Sequence, residues 1–358
     1  MRLITRRRLV AATLATGVAA ASRRARAEPL VVRLGYASIG AGNRQYVGGD
    51  IAATARAGNF VDDAFRNDPN VQIKWLFFAG AGPAVNEAIA NEQIDFALQG
   101  DLPSVIGRAN GLKTKIVMAS AVGTPIYLAV PPGSDIKGIK DLKGRTVAMF
   151  RGTNLQLAID KVLAANDITE HDLKVVNMDP PTADAALVNK QIDATFGAWE
   201  LFGLQRQGLA KIVYTTKGDN PAFGRNSAVL VTEAFDTQHP DITGRVVKAM
   251  LQAAAWSSQE ANRDQLFQEW AKSGYPPENF RDDFAGQPLK VRNDPLLDPF
   301  FMHQYEVQAA MAKQFGLMRH TMEIRGWFEQ RYLVAALKDL QLEHVWTPRD
   351  AAGKEIGA

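Results

Sequence analysis

A short motif is repeated within this 358-residue chain. The pattern N-x-Q-I-D occurs at residues 91–95 and again at 189–193, 98 positions later. Pro83 and Pro181 are separated by the same distance, and each precedes a segment with helical character. A recurrence of this length, surrounded by the same order of elements, indicates a structural repeat. We therefore predict two lobes of similar topology.

Strands and helices are predicted to alternate along the chain, beginning after residue 28. Apolar, β-prone runs bounded by turn residues predict the strands, and stripes of apolar residues at helical spacing predict the helices. The expected strands of the first copy are 31–36, 73–78, 96–98 and 115–119, and its expected helices are 51–58, 84–90 and 105–109. This order favours an α/β fold with parallel sheets. Ligands of such sheets bind beyond the carboxyl ends of the strands, so two facing lobes would enclose a cleft.

Two β-prone segments are predicted to cross between the lobes. Residues 123–130 leave the first lobe, and 226–231 return to it; each has glycine beside it as a bending point. We accordingly assign residues 28–124 and 228–358 to lobe 1 and 125–227 to lobe 2. The part after residue 231 shows mainly helical periodicity, and we expect it to complete lobe 1 and brace lobe 2.

The first 27 residues have the pattern of an export signal. An arginine-rich start precedes a short apolar run, and Ala25-Arg26-Ala27 supplies a small-x-small cleavage site before Glu28. Arg6 and Arg7 also resemble the twin-arginine signal that directs folded proteins across a membrane. We therefore expect the mature chain to begin near Glu28. Export by the Sec route and export by the twin-arginine route are both compatible with this pattern.

Composition excludes several classes of function. The whole chain has a net charge of +3, but its first 27 residues contain seven arginines and no other charged residue, so the remainder carries −4. Nucleic acid is therefore not an expected partner. The chain contains no cysteine and only five scattered histidines, so we expect no metal site and no cofactor. No nucleophile–base pair can be placed, which argues against an enzyme.

A turn in the second lobe has the features of an anion site. Residues 146–150 form a short apolar strand, and an apolar stripe from Leu155 predicts the following helix. Gly152 permits a sharp turn between them, and Thr153 or Asn154 can cap the helix. Such a turn directs backbone N–H groups and the positive end of the helix dipole outward. An ordinary strand-to-helix turn has the same sequence features, so the turn alone does not establish function.

Three blocks of the chain carry a family resemblance. FAGAGPAVNEAIANEQIDFALQGDLPSV (78–105), IKDLKGRTVAMFRGTNLQLAI (139–159) and TADAALVNKQIDATFGAWE (182–200) are similar to the aliphatic-sulfonate, taurine and nitrate family. These are periplasmic substrate-binding proteins of ABC importers. The resemblance implies a type II periplasmic-binding-protein fold, in which two lobes joined by two crossings close on a ligand.

The candidate ligand-binding residues come from the family motifs, the strand-end loops and the returning crossing. The motifs that match the family are Gln99-Gly100-Asp101, Gly152-Thr153-Asn154 and Ala198-Trp199-Glu200. The full set of candidates is Ser38, Asn43, Gly80, Gly100, Asp101, Gly152, Thr153, Asn154, Trp199, Glu200 and Arg225.

Several of these residues have alternative structural interpretations. Asp101 is either a helix cap or a contact for a ligand's ammonium group. Trp199 either belongs to the core or presents its face to an alkyl or aryl group. Glu200 either lines the mouth of the cleft or binds an amine. Arg225 is either a solvent-exposed hinge residue or a contact for an acidic ligand.

The resemblance implies a binding component of an ABC importer, located in the periplasm and acting as a monomer. It would capture a small organic anion and deliver it to a membrane permease with its ATPase subunits. An aliphatic sulfonate or taurine-like compound is the first candidate, and nitrate, an aromatic acid and a thiamine-precursor pyrimidine are alternatives. A sensory role and an enzyme built on the same two-lobe fold are the remaining possibilities.

Overall fold

The computed structural model describes residues 28–356. The predicted export signal therefore lies outside the described residues. The strands are β1 Leu30–Tyr36, β2 Val71–Phe77, β3 Phe96–Gly100, β4 Thr114–Thr124, β5 Tyr127–Val130, β6 Thr146–Met149, β7 Lys174–Asn177, β8 Ala194–Gly197, β9 Lys211–Thr215 and β10 Arg225–Thr232.

Fourteen α-helices accompany these strands in the described part of the chain. They are α1 Ile51–Ala57, α2 Phe60–Phe65, α3 Ala81–Ala90, α4 Asp101–Ala109, α5 Asn154–Ala164, α6 Pro180–Val188, α7 Leu201–Arg206, α8 Glu233–Gln238, α9 Pro240–Ser257, α10 Arg263–Trp270, α11 Pro277–Asp283, α12 Leu289–Arg292, α13 Pro299–Gln314 and α14 Arg331–Asp339. None of the helices within residues 28–356 combines the length and the apolar character needed to cross a membrane.

The strands form two five-stranded sheets with equivalent order. The first sheet is β2-β1-β3-β10-β4 and the second is β7-β6-β8-β5-β9. In each sheet, one strand runs antiparallel to its two neighbours: β10 in the first and β5 in the second. The predicted strands and the predicted duplication of topology are confirmed.

The repeated motif has the same structural role in both lobes. Asp95 accepts a hydrogen bond from the backbone N–H of Arg33 at 2.7 Å, and Asp193 accepts one from that of Thr146 at 2.7 Å. Asp95 thus ties the turn before β3 to β1, and Asp193 ties the turn before β8 to β6, the strand in the equivalent position of the second sheet. The repeat in the sequence therefore reflects a repeated bond between neighbouring strands.

The two lobes are joined by two crossings. The short 125–126 connection joins β4 to β5, and residues 216–224 join β9 to β10. Strand β10 pairs with β3 and β4 from Arg225 onward, so the predicted boundary between residues 227 and 228 falls inside this strand. The return to lobe 1 thus begins before Arg225.

The C-terminal helices pack chiefly on lobe 1. An aromatic cluster from α10 and α11, formed by Phe267, Trp270 and Phe280, belongs to the same hydrophobic core as β1 and β3. From α11, Asp283 reaches lobe 2 and accepts a hydrogen bond at 2.6 Å from the hydroxyl of Tyr127 on β5. The segment thus packs on the core of lobe 1 and also contacts lobe 2.

Candidate functional site

A cavity of about 420 Å³ lies between the lobes. Its walls are the loops that follow β1, β2, β3, β6, β7 and β8, together with the crossing strands. The cavity therefore occupies the carboxyl ends of the parallel strands in both sheets, as expected for an α/β ligand site. Eight of the predicted binding residues line it: Ser38, Asn43, Gly100, Thr153, Asn154, Trp199, Glu200 and Arg225.

Three predicted contacts lie outside the cavity lining, and their interpretation as ligand contacts is corrected. Asp101 is 1% exposed, and its carboxylate accepts hydrogen bonds from the backbone N–H groups of Leu102 at 2.8 Å and Asn226 at 2.9 Å. It therefore ties α4 to the returning strand β10. Gly80 directly precedes α3 and has no place on the cavity wall.

Gly152, the third of these residues, forms part of a contact between the lobes. Its φ angle is +76°, and a Cβ atom built on it would lie 2.8 Å from Cγ of Pro83 in lobe 1. A side chain at this position would therefore meet lobe 1 and would strain the turn. Glycine is required here for the conformation of the turn and the approach of the lobes.

The turn before α5 presents backbone donors to the cavity. Thr153, Asn154 and Leu155 line the cavity, and among the described residues no hydrogen-bond acceptor faces their backbone N–H groups. The Thr153 hydroxyl donates to the carbonyl oxygen of Phe150 at 2.7 Å, and it accepts no capping hydrogen bond from the first turn of the helix. The start of an eleven-residue helix with unpaired N–H groups favours an anion.

Arg225 brings a cation to the same cavity. One of its terminal nitrogens, Nη2, donates to the carbonyl oxygen of Pro125 at 2.9 Å, while its buried Nε has no partner among the described residues. No carboxylate within residues 28–356 lies within 4 Å of the guanidinium, whose pKa is lowered by burial. The interpretation of Arg225 as a solvent-exposed hinge residue is therefore wrong. It is a half-buried, incompletely paired cation on the cavity wall.

Three carboxyl groups also belong to the cavity wall: the exposed Asp179, which caps α6, together with Asp50 and Glu200. Asp50 caps α1 and accepts a hydrogen bond at 2.6 Å from the hydroxyl of Tyr36; burial raises its pKa to about 6. Glu200 accepts from the backbone N–H of Ala198 at 2.6 Å, and burial raises its pKa as well. Burial disfavours the charged forms of Asp50 and Glu200, which limits the repulsion of an anion by these two groups.

Sequence reasoning did not select Asp50. The signal was available, because Gly48-Gly49-Asp50 stands directly before the predicted helix 51–58 and aspartate is a preferred N-cap residue. A cap interpretation alone, however, does not place the carboxyl group in a cleft. That placement depends on β1, which brings Tyr36 to the same cavity.

Trp199 contacts lobe 1 while it lines the cavity. Its ring lies 4.6 Å from that of Phe280 and 4.8 Å, edge to face, from that of Tyr275, measured between ring centroids. Its Nε1 would lie 3.0 Å from a Cβ atom built on Gly49, whose φ is +97°. Trp199 is thus neither a core residue of lobe 2 nor a freely accessible platform. It joins lobe 2 to the aromatic cluster of lobe 1.

The lobes also meet at the first turns of α4 and α5. A Cβ atom built on Gly100 would lie 2.5 to 2.7 Å from the side-chain atoms of Asn154 in the other lobe. Asn154 in turn reaches toward the backbone carbonyl of Asn226, with Nδ2 at 3.5 Å from the oxygen. With the contacts of Gly152 and Trp199, this pairing shows that the lobes are closed over the cavity.

The fold and the interlobe cavity define the class of protein: a two-lobe binding protein with the type II periplasmic-binding-protein fold, as the sequence predicted. The chain belongs to the NMT1/THI5-like family, which matches it over residues 76–262.

The relatives of the chain include sulfonate-binding proteins. The structure of a Methylobacillus flagellatus protein, named as the periplasmic sulfonate-binding protein of a sulfonate ABC transporter, is 30% identical; it covers 90% of this chain and 98% of its own, with a TM-score of 0.77. A Bacillus subtilis protein named as an aliphatic sulfonates-binding protein is 29% identical over 57% of this chain. That match spans 61% of the Bacillus protein's length.

A further structure shows the fold alone. The alkanesulfonate-binding protein of Xanthomonas axonopodis pv. citri is 23% identical, covering 85% of this chain and 99% of its own, with a TM-score of 0.71. The predicted resemblance to the sulfonate-binding family is confirmed, and the relatives support a substrate-binding role for the chain.

Proposed function

We propose that this protein is the substrate-binding component of an ABC importer and that its cargo is a small organic anion, most specifically an aliphatic sulfonate. The observation that carries the proposal is the convergence of Arg225 and the start of α5 on one interlobe cavity. Two relatives have names that describe the binding of sulfonates or aliphatic sulfonates. These names support the same cargo class.

The anionic end of the cargo fits between these two groups. A sulfonate has three oxygens, so it can accept hydrogen bonds from the N–H groups of Thr153 to Leu155 and from the guanidinium of Arg225 at the same time. These donors come from lobe 2 and from a crossing strand. An anion held by both would stabilise the closed arrangement of the lobes.

The organic part of the cargo has an apolar surface to occupy. Trp199 lines the cavity together with Phe150, Pro180 and Pro181. These side chains offer contact to an alkyl or aryl group without a hydrogen-bonding requirement. The taurine-like alternative needs an acceptor for its ammonium group, and Asp50 and Glu200, on the same wall, are the candidates for it.

The role of the chain in transport follows from its class. We propose that the exported protein works in the periplasm as a monomer, closes on its cargo and presents the closed form to a permease with ATPase subunits. Signal cleavage near Glu28 belongs to this proposal, as does the division into lobe 1, from residues 28–124 and β10 onward, and lobe 2 between them.

Calorimetric titration with a panel of anions tests the cargo. The panel contains alkanesulfonates, taurine, nitrate, aromatic carboxylates and a neutral pyrimidine, added to protein that has been unfolded and refolded to remove bound cargo. We expect the alkanesulfonates to bind most tightly. Binding of nitrate, a carboxylate or the pyrimidine alone would contradict the sulfonate assignment.

A substitution tests the site itself. Arg225→Met keeps the length of the side chain and removes its charge. Hydrogen bonds to charged groups contribute about 1.5–3 kcal/mol, so affinity should fall by about 10- to 150-fold. Lys74→Met, which removes an exposed cation from β2, is the matched control. Equal affinities of the two variants would refute the role of Arg225, and release of sulfite from a bound sulfonate would show an enzyme instead.

A further inference from the structure

A buried side-chain network stands behind the turn that presents the anion donors. Gln156, on the first turn of α5, is 5% exposed. Its Oε1 accepts a hydrogen bond from the backbone N–H of Gly152 at 2.7 Å, and its Nε2 donates to Oε1 of Glu170 at 2.7 Å. The other oxygen of Glu170 is paired with the guanidinium of Arg151. The network therefore connects both ends of the turn to the segment before β7.

The direction of these bonds determines which donors face the cavity. The bond to Gln156 occupies the N–H of Gly152, whereas the next three N–H groups, on residues 153–155, have no partner among the described residues. A carboxamide is suited to this position because it accepts and donates at the same time. A change in the orientation of Gln156 would release Gly152, whose positive φ leaves the turn other conformations.

Asp160, one helical turn after Gln156, extends the network. It is 8% exposed, and its pKa is raised to about 8, first by burial and then by the negative charge and hydrogen bond of Glu170. Arg151 opposes this increase. The charged groups that act on Asp160 are thus Glu170, from the segment before β7, and Arg151, from the turn itself. With its pKa raised to about 8, Asp160 is mostly protonated at neutral pH.

We propose that Gln156 is a positioning residue for cargo binding: held by Glu170, it fixes the 151–154 turn in the conformation that directs three backbone N–H groups at an anion. This inference rests on the proposed function and names a residue that does not itself line the cavity. Its effect on the cargo passes entirely through the backbone of the turn.

The test is the pair of substitutions Gln156→Glu and Gln156→Met, with methanesulfonate and ethanesulfonate as probes. Glutamate keeps the acceptor for Gly152 but, in its ionised form, places a second carboxylate against Glu170. We expect about tenfold weaker binding than in the unmodified protein. At pH 5.0 a shared proton restores the missing donor, so the ratio of the two affinities should return toward one. Gln156→Met loses both bonds and should show no recovery.

Two controls separate positioning from general stability and from other titrations. Gln205→Glu makes the same change in lobe 2, where Gln205 accepts a hydrogen bond from the backbone N–H of Ile212 at 2.9 Å, and it should leave affinity unchanged. Because each variant is compared with the unmodified protein at the same pH, the titration of Asp50 cancels. In the unmodified protein we expect affinity to fall above pH 8, where Asp160 becomes ionised. Asp160→Asn should also remove this loss.

A ligand-free measurement keeps this inference distinct from the proposed function. Amide hydrogen exchange at Gly152 should become faster in both Gln156 variants. An affinity ratio that does not depend on pH, or unchanged exchange at Gly152, would overturn the positioning role even if sulfonates bind. Absence of sulfonate binding to the unmodified protein would refute the proposed cargo, while exchange at Gly152 would still report whether Gln156 fixes the turn.

Discussion

The substitution Gly100→Ala should weaken cargo binding by preventing full closure. The added methyl group would lie 2.5 Å from Nδ2, 2.6 Å from Cγ and 2.7 Å from Cβ of Asn154. A rotation of the Asn154 side chain can relieve the first two contacts but not the third, because Cβ is fixed to the backbone. The lobes would therefore have to separate slightly at this point.

The magnitude follows from the cost of overpacking. Inserting a methyl group into a close-packed contact typically costs about 1–3 kcal/mol. If this cost falls on the closed state alone, affinity decreases by about 5- to 150-fold. The melting temperature of the ligand-free protein should hardly change, because each lobe has its own core.

Calorimetry and small-angle X-ray scattering check this prediction. We expect the radius of gyration of the unmodified protein to fall when ethanesulfonate is added and that of Gly100→Ala to fall less. Gly138→Ala is the matched control, since a Cβ atom built there has no neighbour within 4 Å. Unmodified affinity and unmodified compaction in Gly100→Ala would show that this contact does not limit closure.

Three further outcomes are expected. The pKa of Asp50 is raised to about 6, so affinity for an anion should fall severalfold as pH rises through 6, because the newly formed carboxylate repels the cargo. In calorimetric titrations, Asp50→Asn should abolish this decrease in affinity. Trp199→Ala should reduce ethanesulfonate affinity at least about tenfold while leaving the ligand-free melting temperature within a few degrees of the unmodified value, whereas a collapse of that temperature would show a core role. N-terminal sequencing of protein exported by a Gram-negative host should begin near Glu28, and an intact Met1 on a stable cytoplasmic product would contradict the signal assignment.

Much of the architecture was predictable from local patterns. The two motifs that end in Asp95 and Asp193 identified the duplication because the same residues recur in the same order within five positions. The α5 turn was found for a similar reason, since a strand, a glycine and a cap occur within a few residues. Patterns of this kind depend on neighbours in sequence, which a single chain displays directly.

The orientation of individual side chains was not predictable in the same way. Asp101 occupies a family motif, yet its carboxylate points to Asn226, a residue far along the chain. Arg225 lies on the cavity wall because β10 pairs with β4, and this pairing is invisible before the fold is known. The sequence alone would count the backbone N–H of Gly152 among the donors to an anion. In the structure this N–H is already bonded to Gln156.

The strand order also constrains the sequence of events during synthesis on the ribosome. The second sheet uses only residues 127–215, an uninterrupted stretch, whereas the first needs β10 between β3 and β4. Until residue 232 has emerged, β4 has no hydrogen-bonded neighbour in its own sheet, although it is made long before. Lobe 2 can therefore fold first. The first sheet, although most of its strands are made earlier, still lacks the strand between β3 and β4. A released fragment that ends at residue 224 should carry a protease-resistant lobe 2 attached to a protease-sensitive N-terminal segment.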